Sequence, residues 1–258
     1  MDYSAIRYDL QDGVALITLN RPEVMNALNS QMRAEITDAV RRGGAAARVV
    51  VLTGEGRAFC SGQDLGDGGT AARLDLERTL RDEYIPMLTA ITSCPVPTIA
   101  AVNGAAAGAG ANLALAADVV IASEDAFFMQ AFSKIGLIPD AGGTYLLPRQ
   151  IGLARAMGAM LFADRIPARQ AADWGMIYEA VPTDRFAMRW QDRARQLATG
   201  PTVAYRHLKT ALKATWGHDL ARQLALEGEL QGLCGKSRDF REGVVAFLDK
   251  RPAAFEGR

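Results

Sequence analysis

Three short segments of this 258-residue chain combine flexible backbone with residue types that can do chemistry. Residues 57–65 read RAFCSGQDL, residues 101–118 read AVNGAAAGAGANLALAAD, and residues 132–149 read FSKIGLIPDAGGTYLLPR. Gly62 in the first segment allows the backbone to turn sharply and to direct an N–H group outward. In the second, small residues at 108–110 open a predicted helix, whose free N–H groups and dipole suit an anion or a developing oxyanion.

The small residues at 108–110 have other interpretations. Counted from Gly108, a GxGxxG dinucleotide motif would need glycine at position 113, where Leu113 stands, and no GK[ST] follows for a phosphate-binding loop. Both nucleotide motifs are therefore excluded. Tight packing of a helix against its neighbours explains the segment equally well, and is the preferred interpretation when the segment is taken alone.

The third segment places one carboxylate, Asp140, before a flexible AGG and an apolar helical run. A carboxylate can transfer protons beside a polarised carbonyl. It can also cap the helix that follows, and PDAGG is a good turn and cap sequence. Without further information the cap is favoured.

These segments follow predicted strands. The runs at 14–20, 48–53, 98–102 and 118–122 are rich in β-branched and apolar residues, as buried strands are. Helical stretches separate them, and Ser30 is predicted to cap a helix that extends to about residue 42. Alternating strands and helices favour an α/β fold.

The C-terminal third is predicted to be helical. Amphipathic segments span 184–199, 203–216, 220–233 and 239–250. The sequence therefore predicts an α/β core over residues 1–183 and a helical assembly region over 184–258. Residues 62–70 (GQDLGDGGT) form either a mobile lid or a plain surface loop.

Composition excludes several classes of function. Lys and Arg total 29 and Asp and Glu total 29, so no net charge attracts nucleic acid or an anionic membrane. Neither a secretion signal nor a membrane span is expected. Cys60, Cys94 and Cys234 are widely spaced, which argues against a disulfide framework and indicates a reducing, cytoplasmic location. Cys60 is interpreted as a packing residue, since no histidine lies near it in sequence.

No metal site is expected. The chain has two histidines, His207 and His218, and both fall in the helical third without clustered ligands around them.

Taken together, the three segments resemble the enoyl-CoA hydratase/isomerase family, also called the crotonase family. The resemblance covers nearly the whole chain, because ITLNRPEVMNAL, ADWGMIYEAV and EGVVAFLDKRPAAF match as well. It implies a spiral of ββα units with a helical C-terminal trimerisation region. It also implies an acyl-CoA substrate, no cofactor beyond the substrate's own CoA, and a homotrimer or a dimer of trimers.

The resemblance assigns roles residue by residue. The two backbone N–H groups that form the family's oxyanion hole match Gln63 and Ala109. The CoA-binding segment matches Arg57, Ser61, Asp64 and Leu65. A neighbouring subunit is expected to contribute its Phe247 and Lys250 to the same CoA.

Asp140 is the proton-transferring residue that the resemblance implies. Hydratases of the family use two glutamates, whose positions match Asn112 and Phe132 here, so water addition is disfavoured. Isomerase branches carry an aspartate at the position of Asp140. The apolar pocket residues Phe132, Leu137 and Ile138 are expected to raise its pKa.

Within the family, AFSKIGLIPDAGGTYLLPR is most similar to ring-expanding isomerases that act on 1,2-epoxyphenylacetyl-CoA in phenylacetate degradation. A Δ3,Δ2-enoyl-CoA isomerase or an enoyl-CoA hydratase remains an alternative. The dehalogenase branch is not expected, because its histidine and tryptophan match Ile85 and Phe132. A further alternative is a non-catalytic scaffold or RNA-binding relative, against which the neutral charge and the presence of Asp140 argue.

Overall fold

The computed structural model describes residues 3–66 and 75–258. The loop predicted at 62–70 therefore lies partly outside the described residues. The strands are β1 (Ile6–Gln11), β2 (Val14–Leu19), β3 (Val49–Gly54), β4 (Ala58–Cys60), β5 (Thr98–Val102), β6 (Ala105–Ala107), β7 (Val119–Ser123), β8 (Phe127–Met129), β9 (Ile166–Pro167) and β10 (Glu179–Val181).

The helices lie mostly between and after these strands. They are α1 (Ser30–Ala46), α2 (Leu76–Thr79), α3 (Ile85–Thr92), α4 (Ala109–Leu115), α5 (Gly143–Ile151), α6 (Leu153–Phe162), α7 (Ala168–Asp173), α8 (Thr183–Ala198), α9 (Thr202–Ala214), α10 (Leu220–Cys234) and α11 (Arg238–Leu248). A π-helical turn, Leu80–Tyr84, joins α2 to α3. No helix within the described ranges is both long and apolar enough to span a bilayer.

The larger sheet has the strand order β1-β2-β3-β5-β7-β10. β1 and β2 are antiparallel, and the other neighbouring pairs are parallel. Helix α1 packs on one face through a core that includes Val50 and Leu52, and α8 packs on the other through Val49 and Val51. Since both faces are covered, the first four residues of β3 are all apolar and buried, as in other buried parallel strands. The predicted α/β class is confirmed.

A smaller sheet, β4-β6-β8-β9, lies beside the larger one. In each of the consecutive pairs β3–β4, β5–β6 and β7–β8, the first strand belongs to the larger sheet and the second to the smaller sheet. A helical segment follows each pair. This repeat is the expected spiral of ββα units. It matters for function because β4, β6 and β8 run parallel and carry the first two motif segments side by side.

Local predictions hold with some differences. Helix α1 is capped by Asn29, whose Oδ1 accepts from the N–H of Met32 at 2.9 Å, and not by Ser30. The helix continues to Ala46, beyond the predicted end. Strand β1 was not predicted, because its burial pattern is mostly polar and exposed, as befits an edge strand.

The helical C-terminal third is confirmed, but α8 belongs structurally to the sheet that it covers. Phe186, Ala194 and Ala198 pack against β3 and β5. The proposed division at residue 184 stays a prediction.

The chain terminus is anchored to the core beyond α11. The carboxylate of Asp239 accepts from the N–H groups of Glu256 and Gly257 at 2.7 and 2.9 Å. Arg48 donates to Phe255 O at 3.1 Å. Helices α9–α11 are thereby tied to the sheet at both ends.

Candidate active site

The turn at Gly62 presents the N–H of Gln63. Leu28 donates its N–H to Gly62 O at 2.7 Å, and Asp64 donates to Leu28 O at 3.1 Å. Residues 62–64 thus pair with Leu28 as a single parallel bridge, which leaves the Gln63 N–H on the opposite side. Gly62 has φ +102°, a conformation that glycine adopts without strain.

Helix α4 presents the N–H of Ala109 in the same region. The N–H of Ala109 stands at the first position of this helix, where no preceding turn provides an acceptor, and the preceding residue Gly108 has φ +53°. Gly108 itself donates to Met129 O at 2.8 Å on β8. The buried start of α4 is therefore joined to the smaller sheet.

The backbone of residues 60–62 and the start of α4 approach each other at two glycine residues. A Cβ on Gly62 would lie 2.9 Å from Ala107 O and 3.4 Å from Ala109 N. One on Gly110 would lie 2.3 Å from Cys60 O. Glycine at both positions lets the backbone of residues 60–62 approach the start of α4, the two places that carry the predicted N–H donors Gln63 and Ala109.

Asp140 lies between a 3₁₀ turn (Ala131–Ile135) and α5. Its Oδ1 is buried and accepts no hydrogen bond from the described part of the chain. Burial raises the pKa of Asp140 to about 6, and its own backbone N–H opposes this shift. The N-cap of α5 is Gly142, without a side-chain cap, so the alternative that Asp140 caps this helix is wrong.

Asn112 connects Asp140 to α4. The Asn112 side chain is fully buried and donates from Nδ2 to the main-chain oxygen of Asp140 at 2.8 Å. Asn112 lies three residues after Ala109, about one turn further along α4. The Asp140 main chain is thus joined to the same short helix that begins at Ala109.

The other predicted pocket residues differ in position. Phe132 is buried, and its ring lies 3.9 Å from the place a Gly108 Cβ would occupy, so it covers the start of α4. Ile138 is 80% exposed in the single chain and does not contribute to the burial of Asp140.

A buried network that sequence reasoning missed holds the Gln63 side chain. Its Oε1 accepts from Arg33 Nη1 at 2.8 Å and from the Tyr84 hydroxyl at 2.7 Å. Arg33 is 2% exposed and also pairs with Glu83 at 2.7 Å. Burial raises the pKa of Tyr84, and the nearby Asp140 charge adds to this shift. A lone arginine in an amphipathic helix gives no local sign of such a role.

The predicted CoA-binding residues fall into two groups. Arg57 and Leu65 are exposed, Ser61 Oγ donates to Val24 O at 3.3 Å, and Asp64 pairs with Arg21 at 2.8 Å. Phe247 is 83% exposed on α11, and Lys250 follows that helix. Helix α11 does not pack against β4 in the described part of one chain, so a single chain does not unite these groups.

Cys60 sits among these residues as a packing group. It is fully buried against Gly110, and burial raises the pKa of its thiol to about 12. A thiol in this state is not a nucleophile near neutral pH. Over residues 3–66 and 75–258, no group of three or more His, Cys, Asp or Glu side chains is placed to hold a metal ion.

The spiral of ββα units, in which the turn at Gly62 closely approaches the start of α4, defines an α/β protein of the crotonase-fold class. The family model for enoyl-CoA hydratase/isomerase matches residues 9–258, and the chain belongs to this family.

Individual relatives are similar over their full lengths. The chain is 62% identical over 258 residues to a probable enoyl-CoA hydratase of Rhodobacter capsulatus, covering 100% of both chains. It is 45% identical over 254 residues to the 1,2-epoxyphenylacetyl-CoA isomerase of Escherichia coli, covering 96% of this chain and 97% of the other. A crystal structure of a putative enoyl-CoA hydratase/isomerase from Mycobacterium abscessus superimposes with TM-score 0.94 at 40% identity, covering 98% of this chain and 100% of that one.

Proposed function

We propose that this chain is an acyl-CoA isomerase in which Asp140 removes a proton beside the thioester and returns it elsewhere on the same substrate. The N–H groups of Gln63 and Ala109 stabilise the enolate oxygen formed in between. One lost oxyanion donor costs about 2.7–4 kcal/mol of barrier in enzymes where it has been tested. The observation that carries the proposal is the state of Asp140, a partly buried carboxyl group whose enclosed Oδ1 has no partner among the described residues and whose pKa is raised to about 6.

A pKa near 6 suits a residue that must act as both base and acid. Above that pH the carboxylate accepts a proton, and the acid that results is weak enough to hold it until it is returned. An ordinary exposed aspartate would be a poorer base. The carboxyl group is only partly buried, so the proposed proton transfer uses its accessible part, while Oδ1 itself is enclosed without a partner among the described residues.

The substrate that we propose is ring-1,2-epoxyphenylacetyl-CoA, converted to the oxepin-CoA of phenylacetate degradation. Its support is the relative of that name at 45% identity. In the net reaction the ring bond between the two epoxide carbons breaks and no atom is gained or lost. Asp140 moves a proton at the side-chain carbon next to the thioester. A Δ3,Δ2-enoyl-CoA isomerase would need the same residues on a linear chain.

Enoyl-CoA hydratase is the second candidate, because the relative at 62% identity carries that description. Water addition needs a group that activates water. Asn112 and Phe132 occupy the positions of the family's two hydratase glutamates, and the Asn112 carboxamide is engaged with the Asp140 main chain. The site therefore favours isomerisation.

Product analysis by liquid chromatography and mass spectrometry separates these functions. Wild type and Asp140→Asn receive three substrates: enzymatically generated 1,2-epoxyphenylacetyl-CoA, a 3-enoyl-CoA and a 2-enoyl-CoA. We expect an isomer of unchanged mass from the first with wild type, and a rate about 10²–10⁴-fold lower with the variant.

Other outcomes reject parts of the proposal. Conversion of the 3-enoyl-CoA alone supports the linear isomerase, and gain of one water on the 2-enoyl-CoA supports the hydratase. An Asp140→Asn variant as active as wild type would remove Asp140 from the chemistry. No turnover together with no CoA binding would favour a non-catalytic scaffold or RNA-binding protein. Retention on a CoA resin is compared with a gel shift by RNA to separate the two classes.

We also propose that the protein works as a homotrimer or a dimer of trimers in the cytoplasm. CoA would then bind along Arg57, Ser61, Asp64 and Leu65, with Phe247 and Lys250 supplied by a neighbouring subunit. The exposed position of Phe247, away from β4, supports a role between chains. Three free cysteines are consistent with a reducing compartment.

A further inference from the structure

Two buried side-chain carboxamides are linked by hydrogen bonds that end on the main-chain oxygen of Asp140. Gln130 and Asn112 are both fully buried. Gln130 Nε2 donates to Asn112 Oδ1 at 2.8 Å, and Asn112 Nδ2 donates to Asp140 O at 2.8 Å. These two bonds join buried polar groups that have few alternative partners, although Gln130 Oε1 is itself buried without a partner among the described residues.

The donor and acceptor of each of these two hydrogen bonds follow from the groups involved. A main-chain oxygen can only accept, so Asn112 must turn its Nδ2 toward Asp140 and its Oδ1 toward Gln130. Gln130 must then offer Nε2. Flipping either carboxamide would place two donors or two acceptors face to face.

The backbone just after the oxygen that accepts the Asn112 hydrogen bond is strained. Ala141 has φ +48° and Gly142 has φ +82°, so two successive residues after Asp140 are left-handed. For a residue with a side chain, this conformation costs about 1–2 kcal/mol. Asp140 O also accepts from the Gly143 N–H at 2.9 Å. Such strain persists where surrounding contacts impose it.

Gly143 makes room for the contact. A Cβ at this position would lie 2.4 Å from Asn112 Nδ2. Any other residue would displace the carboxamide from the Asp140 oxygen. The approach of α4 to the start of α5 thus depends on glycine here.

The carboxyl group of Asp140 has no orienting contact of its own at Oδ1. That atom is buried without a partner among the described residues. The backbone N–H of Asp140 donates to its own carboxyl group, so the orientation of that group depends on the main chain, which Asn112 contacts at Asp140 O.

We propose that Asn112 and Gln130 are positioning residues, which act through the Asp140 main chain to hold its carboxyl group toward the reacting carbon. This inference rests on the proposed function. The residue at the hydratase glutamate position then has a different role, because Asn112 fixes the base instead of activating water. Gln130 acts only through Asn112.

The test compares Asn112→Ala and Gln130→Met with Asn103→Ala as the matched control. Asn103 also joins two stretches of backbone, accepting from Gly54 N–H at 3.1 Å and donating to Gly56 O at 2.9 Å, but it has no hydrogen bond to Asp140. Its replacement reports a general loss of stability. Steady-state kinetics across pH are measured with whichever thioester the wild type isomerises.

We expect Asn112→Ala to lower kcat about 10–100-fold with KM changed less than about 3-fold, because a base displaced by about 1 Å loses rate and not substrate affinity. Gln130→Met should lower kcat less. The double variant should match Asn112→Ala alone, since the two residues act as one unit. The released carboxyl group gains water, so the acidic limb of the pH profile should move to lower pH. Asn103→Ala should leave that limb in place.

A second readout does not need activity. The Asp140 carboxyl carbon is titrated by NMR in aspartate-labelled protein and assigned with Asp140→Asn. We expect its pKa to fall in Asn112→Ala and to remain at the wild-type value in Asn103→Ala. An unchanged pKa in Asn112→Ala, or kinetics equal to those of Asn103→Ala, overturns the inference. A wild type without isomerase activity whose Asp140 pKa still depends on Asn112 rejects the proposed function and leaves the positioning intact.

Discussion

Asp140 shows how burial converts an ordinary carboxylate into a candidate base. Its Oδ1 is enclosed without a protein partner among the described residues, and the pKa rises to about 6 mainly because the charged form loses water. Burial has the opposite consequence for the reactivity of Cys60, which lies a few residues before Gln63. Burial raises the pKa of its thiol to about 12 and makes it unreactive.

The first prediction concerns the pH dependence of activity. Asp140 must be ionised to accept a proton, so kcat/KM should fall as pH drops through about 6, the value to which burial raises its pKa. The measurement is kcat/KM from about pH 4.5 to 8.5 with a substrate that isomerises. An acidic limb near pH 4 would show that Asp140 is solvated in the working enzyme.

The second prediction concerns stability. A raised carboxyl pKa means that the folded state binds the proton more tightly, so this group's contribution is favourable at low pH and is lost as pH rises from 3.8 through about 6. Above that range the ionised group costs up to about 3 kcal/mol. Asp140→Asn should therefore raise the free energy of unfolding at about pH 8, and the gain should shrink by about half at about pH 5.

Urea denaturation at the two pH values measures this effect. Asp173→Asn, which replaces an exposed carboxylate at the end of α7, is the control and should change neither value. If Asp140→Asn is instead less stable than wild type at pH 8, the carboxylate makes stabilising contacts that outweigh the cost of burying its charge.

At the scale of elements, the site depends on how closely α4 approaches β4. Gly110 faces Cys60 with no room for a Cβ, and Gly62 faces Ala107 and Ala109 in the same way. These contacts bring the turn at Gly62 and the start of α4 together without any side chain. The proposed oxyanion donors are backbone N–H groups, which ordinary substitution cannot remove, but their spacing can be changed.

The third prediction compares two glycine-to-alanine changes in helices. At Gly110 a Cβ would meet Cys60 O at 2.3 Å, so alanine should destabilise the fold by about 1–3 kcal/mol and separate the N–H donors. At Gly158 in α6 nothing lies within 4 Å, so alanine should stabilise by about 0.8–1 kcal/mol through helix propensity. Denaturant unfolding measures both, and equal effects would contradict the close approach of α4 and β4.

At the scale of the whole molecule, large apolar side chains remain exposed on the C-terminal helices. Contiguous apolar surface of this kind marks interaction sites in soluble proteins. The exposed fractions of the side chains on α9–α11 are Leu208 54%, Leu212 62%, Leu220 73%, Leu224 56%, Phe240 54%, Phe247 83% and Leu248 72%.

The fourth prediction follows from that surface. If it forms the proposed trimer, sedimentation should give three or six times the mass of the chain, and Leu212→Glu should lower it, since a charge would be buried at the interface. Leu10→Glu, at an exposed leucine on β1, is the control. CoA affinity should fall only in the first variant. A monomeric wild type that binds CoA fully would reject the shared site.

Local sequence patterns were enough to predict the main strands and the C-terminal helices, whereas the roles of Gln63, Ala109 and Asp140 came from the family resemblance and stay predictions. β-Branched runs mark β3, β5 and β7 because buried strands need apolar side chains on both faces. Asp140 and the glycines at 62 and 108 were singled out by their types and spacing. The cap at Asn29 and strand β1 were missed because neighbouring polar residues give similar signals.

Tertiary structure supplied what no local pattern contains. The same Asp140 segment is a good helix cap in isolation, and only its burial beside α4 leaves the carboxyl unpaired among the described residues and raises its pKa. Gln130 and Asn112 are 18 residues apart and meet only because β8 and α4 pack together. Arg33 reaches Gln63 across 30 residues for the same reason. Contacts between distant residues depend on packing, and packing is a property of the folded chain as a whole.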